Sequence, residues 1–235
     1  MNMSSTDAAF PNEALPQPGG GTNPPDLCLG CGTCAAACPM TGMEGFDPRH
    51  MVRLAQADRT QDLAESTLPW LCTQCGRCEA ACPMDIRIVG MVREARGLGG
   101  EDRIPEAIRR GIEMFMQTGN NLGLPDEDYG FILTDVAEEL AEEPGFEDFS
   151  LPMDHQGTRL LFTLHNKLVN IQNEDLKHWW KILHLAGESW TLPGTKWEGV
   201  NWGLFSGQDE VLKAGVDTIV QNMERLGTQG LMYPE

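Results

Sequence analysis

Apolar residues recur along this chain at two spacings, and the change between them divides it. Asp47-Pro48 is a favourable helix start, and Met51, Leu54 and Ala55 follow at helical intervals between His50 and Asp58. Ile86 to Arg96 reads as a helix that stops at Gly97, Gly99 and Gly100. Pro105 opens another, with Ile104, Ile108, Ile112 and Phe115 on one face, and Phe131 to Glu143 is a third, ended by Pro144-Gly145. The pattern shifts near Leu151. Arg159 to Leu164 is a short apolar run suited to a buried strand. Asn173 to Leu185 returns to helical spacing through Leu176, Trp179, Trp180 and Leu183. Ser189 to Leu192 reads as a second strand, Gly207 to Leu226 as a long amphipathic helix, and Leu231-Met232-Tyr233 as the start of a third strand. Strand, helix, strand, helix, strand predicts a small parallel α/β unit. Residues 1 to about 25, rich in Pro, Gly, Asn and Ser, predict a flexible arm.

Charge and composition narrow the class. Seventeen Lys and Arg against 35 Asp and Glu give a formal charge of −18. Such a chain repels nucleic acid and anionic lipid, since phosphate binding needs Lys and Arg to replace counterions. The acidity serves solubility or the docking of a basic partner. No run of about 18 apolar residues occurs, so no membrane span is expected. Met1 to Phe10 lacks the basic and apolar regions of a signal peptide. The expectation is a cytoplasmic protein, where thiols stay reduced and cysteines read as metal ligands.

All eight cysteines fall between Cys28 and Cys82. Cys28, Cys31, Cys34 and Cys38 precede Pro39; Cys72, Cys75, Cys78 and Cys82 precede Pro83. Both runs have the spacing C-x2-C-x2-C-x3-C-P, the pattern of two-cluster ferredoxins, in which the fourth cysteine ligates the other cluster. One [4Fe–4S] cluster is therefore assigned to Cys28, Cys31, Cys34 and Cys82, and a second to Cys72, Cys75, Cys78 and Cys38. Gly30, Gly32 and Gly76 let the backbone approach the sulfides and offer N–H donors. Ala35, Ala36, Ala37, Ala80 and Ala81 let the short helices pack closely, and the prolines turn the chain away. Structural zinc would leave half of these cysteines and both prolines unexplained. With every sulfur ligand taken, no coordination position is left for substrate, and no catalytic residue is assigned.

The two runs, the 33 residues between them and the helical stretch that follows resemble the two-cubane iron–sulfur subunit of heterodisulfide reductase. They also resemble the front half of iron–sulfur subunits linked to dissimilatory sulfite reductase and to anaerobic glycerol-3-phosphate dehydrogenase. The resemblance is specific over residues 26 to 100. It implies an electron-transfer subunit of a hetero-oligomer, placed between a flavin-containing subunit and a catalytic subunit with cysteine-rich CCG domains. Leu160 to Glu235 resembles the opening of such a CCG domain without its cysteines. Thr163-Leu164-His165-Asn166, Thr191-Leu192 and the end at Tyr233-Pro234-Glu235 stand where they would be expected. A split gene or a truncated chain would give the same ending.

The expected fold class is thus α+β. It comprises a flexible arm (1–25), an α-helical ferredoxin-like domain with two cubane clusters (26–150), and a degenerate α/β CCG-like lobe (151–235). The competing reading is a scaffold stabilised by its clusters, or the front piece of one of the related iron–sulfur subunits. His155, His165, His178 and His184 read as ordinary histidines, with His165 notable at a strand end. The five tryptophans between Trp179 and Trp202 suit a core or an interface. Met114 and Met116 suit gap-filling in a core. No phosphate-binding loop or dinucleotide fingerprint appears, so flavin and nicotinamide are not expected in this chain.

Overall fold

A computed structural model describes residues 21–233. The chain forms two compact units, one running to Ala95 and one from Arg96 onward.

The first unit is helical. It holds α1 (Thr33–Ala37), α2 (Pro48–Gln56), α3 (Thr60–Glu65), α4 (Leu68–Leu71), α5 (Arg77–Ala80) and the start of α6 (Ile88–Leu98). Helix α2 begins as its sequence predicts. Pro48 takes the first turn, where its missing N–H costs nothing, and the Asp47 carboxylate accepts the Arg49 N–H at 2.8 Å. Phe46, Met51, Val52, Leu63, Ile86, Ile88 and Val92 are almost fully buried and form the core, with cysteines packed at its edge. The arm expected to reach about residue 25 is held at Gly21, Thr22 and Asn23. Thr22 and Asn23 donate to the Asp85 carbonyl at 3.0 and 2.9 Å, Asn23 pairs with Ile86 in a parallel bridge, and the Gly21 N–H reaches the buried Glu79 carboxylate at 3.1 Å. The remainder of that expected arm lies outside the described residues.

The second unit contains α7 (Glu106–Thr118), α8 (Asp126–Ala141), β1 (Leu160–Phe162), α9 (Asn166–Asn170), α10 (Asn173–Leu185), β2 (Trp190–Thr191), α11 (Trp202–Ser206), α12 (Asp209–Leu226) and β3 (Gly230–Met232). The strands form one parallel sheet in the order β2-β1-β3, with Leu161 opposite both Thr191 and Leu231. Helix α8 starts five residues before the expected Phe131, because Asp126, Glu127 and Asp128 suit the positive end of the helix dipole. The expected Gly207–Leu226 helix is α12, which starts at Asp209; the short α11 precedes it and ends at Gly207, which takes the left-handed conformation at φ 81°.

The units divide at Ala95, well ahead of the composition change near Leu151. The reason is packing. Tyr129, Leu133, Val136 and Leu140 of α8 are buried in one core with Phe162, Leu164, Leu176, Trp180 and Trp197. Tyr129 stacks on Trp197 with ring centroids 4.7 Å apart. Lys177 and Lys181 on α10 pair with Glu139 on α8 and with Glu143 just beyond its end. The acidic middle helix therefore covers the α/β lobe. Met114 and Met116, expected in a core, are instead exposed on α7. Among the described residues no helix is long and apolar enough to cross a membrane.

Candidate metal centres

The two cysteine runs adopt the same backbone course. Gly30 and Gly32 have φ of 69° and 83°; Gln74 and Gly76, at the equivalent places, have 56° and 75°. Each pair of left-handed residues folds the loop back on its first cysteine. The Gly30 N–H donates to Cys28 Sγ and the Gln74 N–H to Cys72 Sγ, both at 3.3 Å. Gly32 and Gly76 then launch α1 and α5. The left-handed turn is free of cost for glycine and costs roughly 1–2 kcal/mol at Gln74. That a non-glycine residue carries it shows how strongly the loop geometry is required.

The eight thiols line two cavities. Cys28, Cys31, Cys34 and Cys82 line one; Cys72, Cys75, Cys78 and Cys38 line the other. The last cysteine of each run thus faces the cavity of the other run. The two cavities are equal in size, about 20 Å³ each. Ile88, buried, lines both, and α2 walls both, with Pro48 and Met51 toward one and Arg49 and Val52 toward the other.

Burial and hydrogen bonding set the thiol chemistry. Burial pushes the Cys78 thiol up to about 12 and raises Cys34. The exposed Cys31 is held below its ordinary value, first by the Thr33 hydroxyl at 3.2 Å, and Cys75 first by the Arg77 backbone N–H. Each cavity therefore has one buried thiol held above the ordinary thiol range and one surface thiol held below it.

The donors fit an iron–sulfur cluster. They are all sulfur, which suits a soft metal, and they surround a volume lined by apolar side chains. Among the described residues, no group of three or more His, Cys, Asp or Glu is placed to hold a single metal ion.

An internal repeat underlies the two sites. Met51-Val52-Arg53 in α2 recurs as Met91-Val92-Arg93 in α6, a signal present in the sequence but absent from the expectations above. Cys38 matches Cys82, Met40 matches Met84, Phe46 matches Ile86, Pro48 matches Ile88 and Arg49 matches Val89, each lining the corresponding cavity.

The remaining candidates lie in the second unit. His165 Nδ1 accepts the Lys167 N–H at 3.0 Å and caps α9. It shares an open cavity of about 540 Å³ with His178, Lys167, Asp175 and Trp179. His184 packs against Phe146 and Phe149 and faces Asp148. His155 donates its backbone N–H to Thr191 Oγ1. Thr163 to Asn166 follow β1, Thr191-Leu192 close β2, and Tyr233 follows β3. Because the strands are parallel, these segments share the carboxyl edge of the sheet. Pro234 and Glu235 lie outside the described residues.

Residues 25–86 match the family model of the 4Fe-4S dicluster domain, about a quarter of the chain. No curated protein matches the chain. This match, with the eight cysteines, supports an electron-transfer iron–sulfur protein.

Proposed function

We propose that the chain binds two [4Fe–4S] clusters with exchanged fourth ligands and relays electrons within a heterodisulfide reductase-like complex. Cys28, Cys31, Cys34 and Cys82 hold one cluster, and Cys72, Cys75, Cys78 and Cys38 the other. The carrying observation is the pair of equivalent cavities, each lined by four cysteines drawn from both runs. The clusters supply reversible one-electron exchange. The chain's residues do the rest. The Gly30 and Gln74 N–H groups donate to ligand sulfur, which favours the more reduced state. Phe46, Met51, Ile86 and Ile88 exclude water around the ligands. All four cysteines of each set are ligands, so no protein donor is left to bind substrate, and the bond chemistry belongs to a partner.

The partners are a flavin subunit on one side and a disulfide- or thiol-processing CCG subunit on the other, met in the cytoplasm. Support for this placement comes from the resemblance of the cysteine unit to the two-cubane subunit of heterodisulfide reductase. It comes also from the parallel sheet, whose carboxyl edge carries Thr163, Thr191 and Leu192 where a CCG domain has cysteines. That lobe serves as a metal-free docking module.

A potentiometric titration followed by EPR tests the relay. The anaerobically purified chain gives two reversible one-electron steps, with magnetic coupling between the paramagnetic centres when both are reduced. Clusters that cannot be reduced reversibly would leave only the scaffold role.

A further inference from the structure

The internal repeat provides its own control. Whatever the two sites need to hold a cluster should appear in both; what differs between them serves something else. The left-handed turns, the N–H to Sγ bonds, the enclosed volume and the shared Ile88 are common to both. The openings are not. At the first, Leu29 stands between two cysteines with 73% of its surface exposed; its counterpart at the second is the polar Thr73. No side chain lining the second cavity is an exposed large hydrophobic. Arg49 lines the first cavity where the second has Val89.

Two arginines cover the first loop. Arg53 Nη1 lies 3.5 Å from where a Cβ on Gly30 would sit, and Arg49 Cδ lies 3.7 Å from the same position on Gly32. Arg49 and Arg53 sit one turn apart on α2, both exposed. Neither forms an ion pair among the described residues, whereas Arg59 and Arg87 pair with Asp62 and Glu94. The second opening carries one exposed arginine, Arg77, where the first has Thr33; Arg53 itself recurs in the repeat as Arg93, which is half-buried, so for this arginine it is exposure that differs. The first mouth is therefore apolar at its centre and cationic at its rim, in a chain of net charge −18.

An exposed leucine over a ligand loop costs solubility and does nothing for ligation. In a protein contact the same side chain gives a desolvated centre close to the redox group, and the guanidinium groups give bidentate partners for carboxylates. We propose that this first mouth, Leu29 with Arg49 and Arg53, is the docking surface for an acidic protein that carries one electron at a time. It rests on the reading that both cavities hold clusters. One electron passes between the cluster and the carrier, one side being oxidised as the other is reduced, and no bond forms or breaks. Over the short range set by screening, about 10 Å at 0.1 M salt, the rim charges govern the encounter despite the acidity elsewhere.

Stopped-flow mixing of the reduced, cluster-loaded chain with an oxidised acidic flavodoxin tests this. The double variant Arg49→Gln/Arg53→Gln is expected to lower the second-order rate at least tenfold at low salt and little at high salt. Leu29→Ser, which changes no charge, lowers it at least fivefold at both. Arg59→Gln, which removes one positive charge elsewhere on this unit, leaves it within twofold. Iron content and both midpoint potentials are read on the same samples. A wild-type rate in the arginine variant, an equal loss in Arg59→Gln, or a loss that merely tracks a shifted potential would overturn the proposal. Failure of the two-cluster reading shows separately, as missing cluster signals in the unmixed wild-type chain.

Discussion

The proposed exchange of fourth ligands makes a prediction that closure of each cluster by its own run would reverse. Replacing Cys31 and Cys82 together removes two ligands from one cavity, because both line it. Replacing Cys75 and Cys82, which belong to one run, removes one ligand from each cavity. The pair Cys31→Ser/Cys82→Ser should therefore keep about four irons per chain, and Cys75→Ser/Cys82→Ser should lose most of about eight. Stability should follow the same pattern. Clusters held as proposed would each join the two runs, and the loop from Cys28 to Cys82 is over fifty residues long. A cross-link closing such a loop contributes on the order of 4 kcal/mol by the chain-entropy relation for disulfides. The first variant retains one such link, through Cys38, and the second retains none. Anaerobic reconstitution followed by iron and sulfide analysis reads the first effect; urea unfolding reads the second. If Cys75→Ser/Cys82→Ser kept four irons while Cys31→Ser/Cys82→Ser lost nearly all, each run would close its own cluster and the exchange would be refuted.

Two further outcomes concern the second unit. Glu198 is 2% exposed, and burial pushes its carboxyl up to about 7, opposed by the Asn121 N–H at 2.6 Å. A folded value above the ordinary 4.5 means the native state holds the extra proton between those limits, so stability falls as pH rises through that window. Glu198→Gln keeps an acceptor for Asn121 and removes the charge. Thermal unfolding should show it stabilising by up to about 3 kcal/mol at pH 8 and by about 1 or less at pH 5, and equal effects at both would contradict the assignment. Gly203 in α11 faces the backbone of Gln208 and Leu212, which a Cβ would meet too closely. Gly203→Ala should destabilise the chain by about 3 kcal/mol in urea unfolding, with the visible cluster spectrum of the folded protein unchanged.

The local signals in the sequence were strong where chemistry and periodicity coincide. The cysteine runs, the Asp47-Pro48 helix start, α10 and the three strands of a parallel unit were readable because each has a short-range cause: ligand spacing, capping, helical spacing, or a short apolar run. Long-range packing was not. Helix α8 looks like an extension of the cysteine domain because it is acidic and close in sequence. Only the burial of Tyr129 and Leu133 against Trp197 and the strands shows where it belongs. The anchoring of Gly21, Thr22 and Asn23 depends on Glu79 and Asp85, some sixty residues away, which composition cannot report. The repeat of Met-Val-Arg was present in plain view, but its meaning depended on seeing Arg49 and Val89 at matching cavity walls.

The content of the two cavities decides the central claim. Native mass spectrometry of the anaerobically purified chain measures it directly. A mass increment equal to two cubanes, about eight irons and eight sulfides on a chain with no other metal, is the predicted result. An increment of one cubane, or of one or two zinc ions without sulfide, would contradict it.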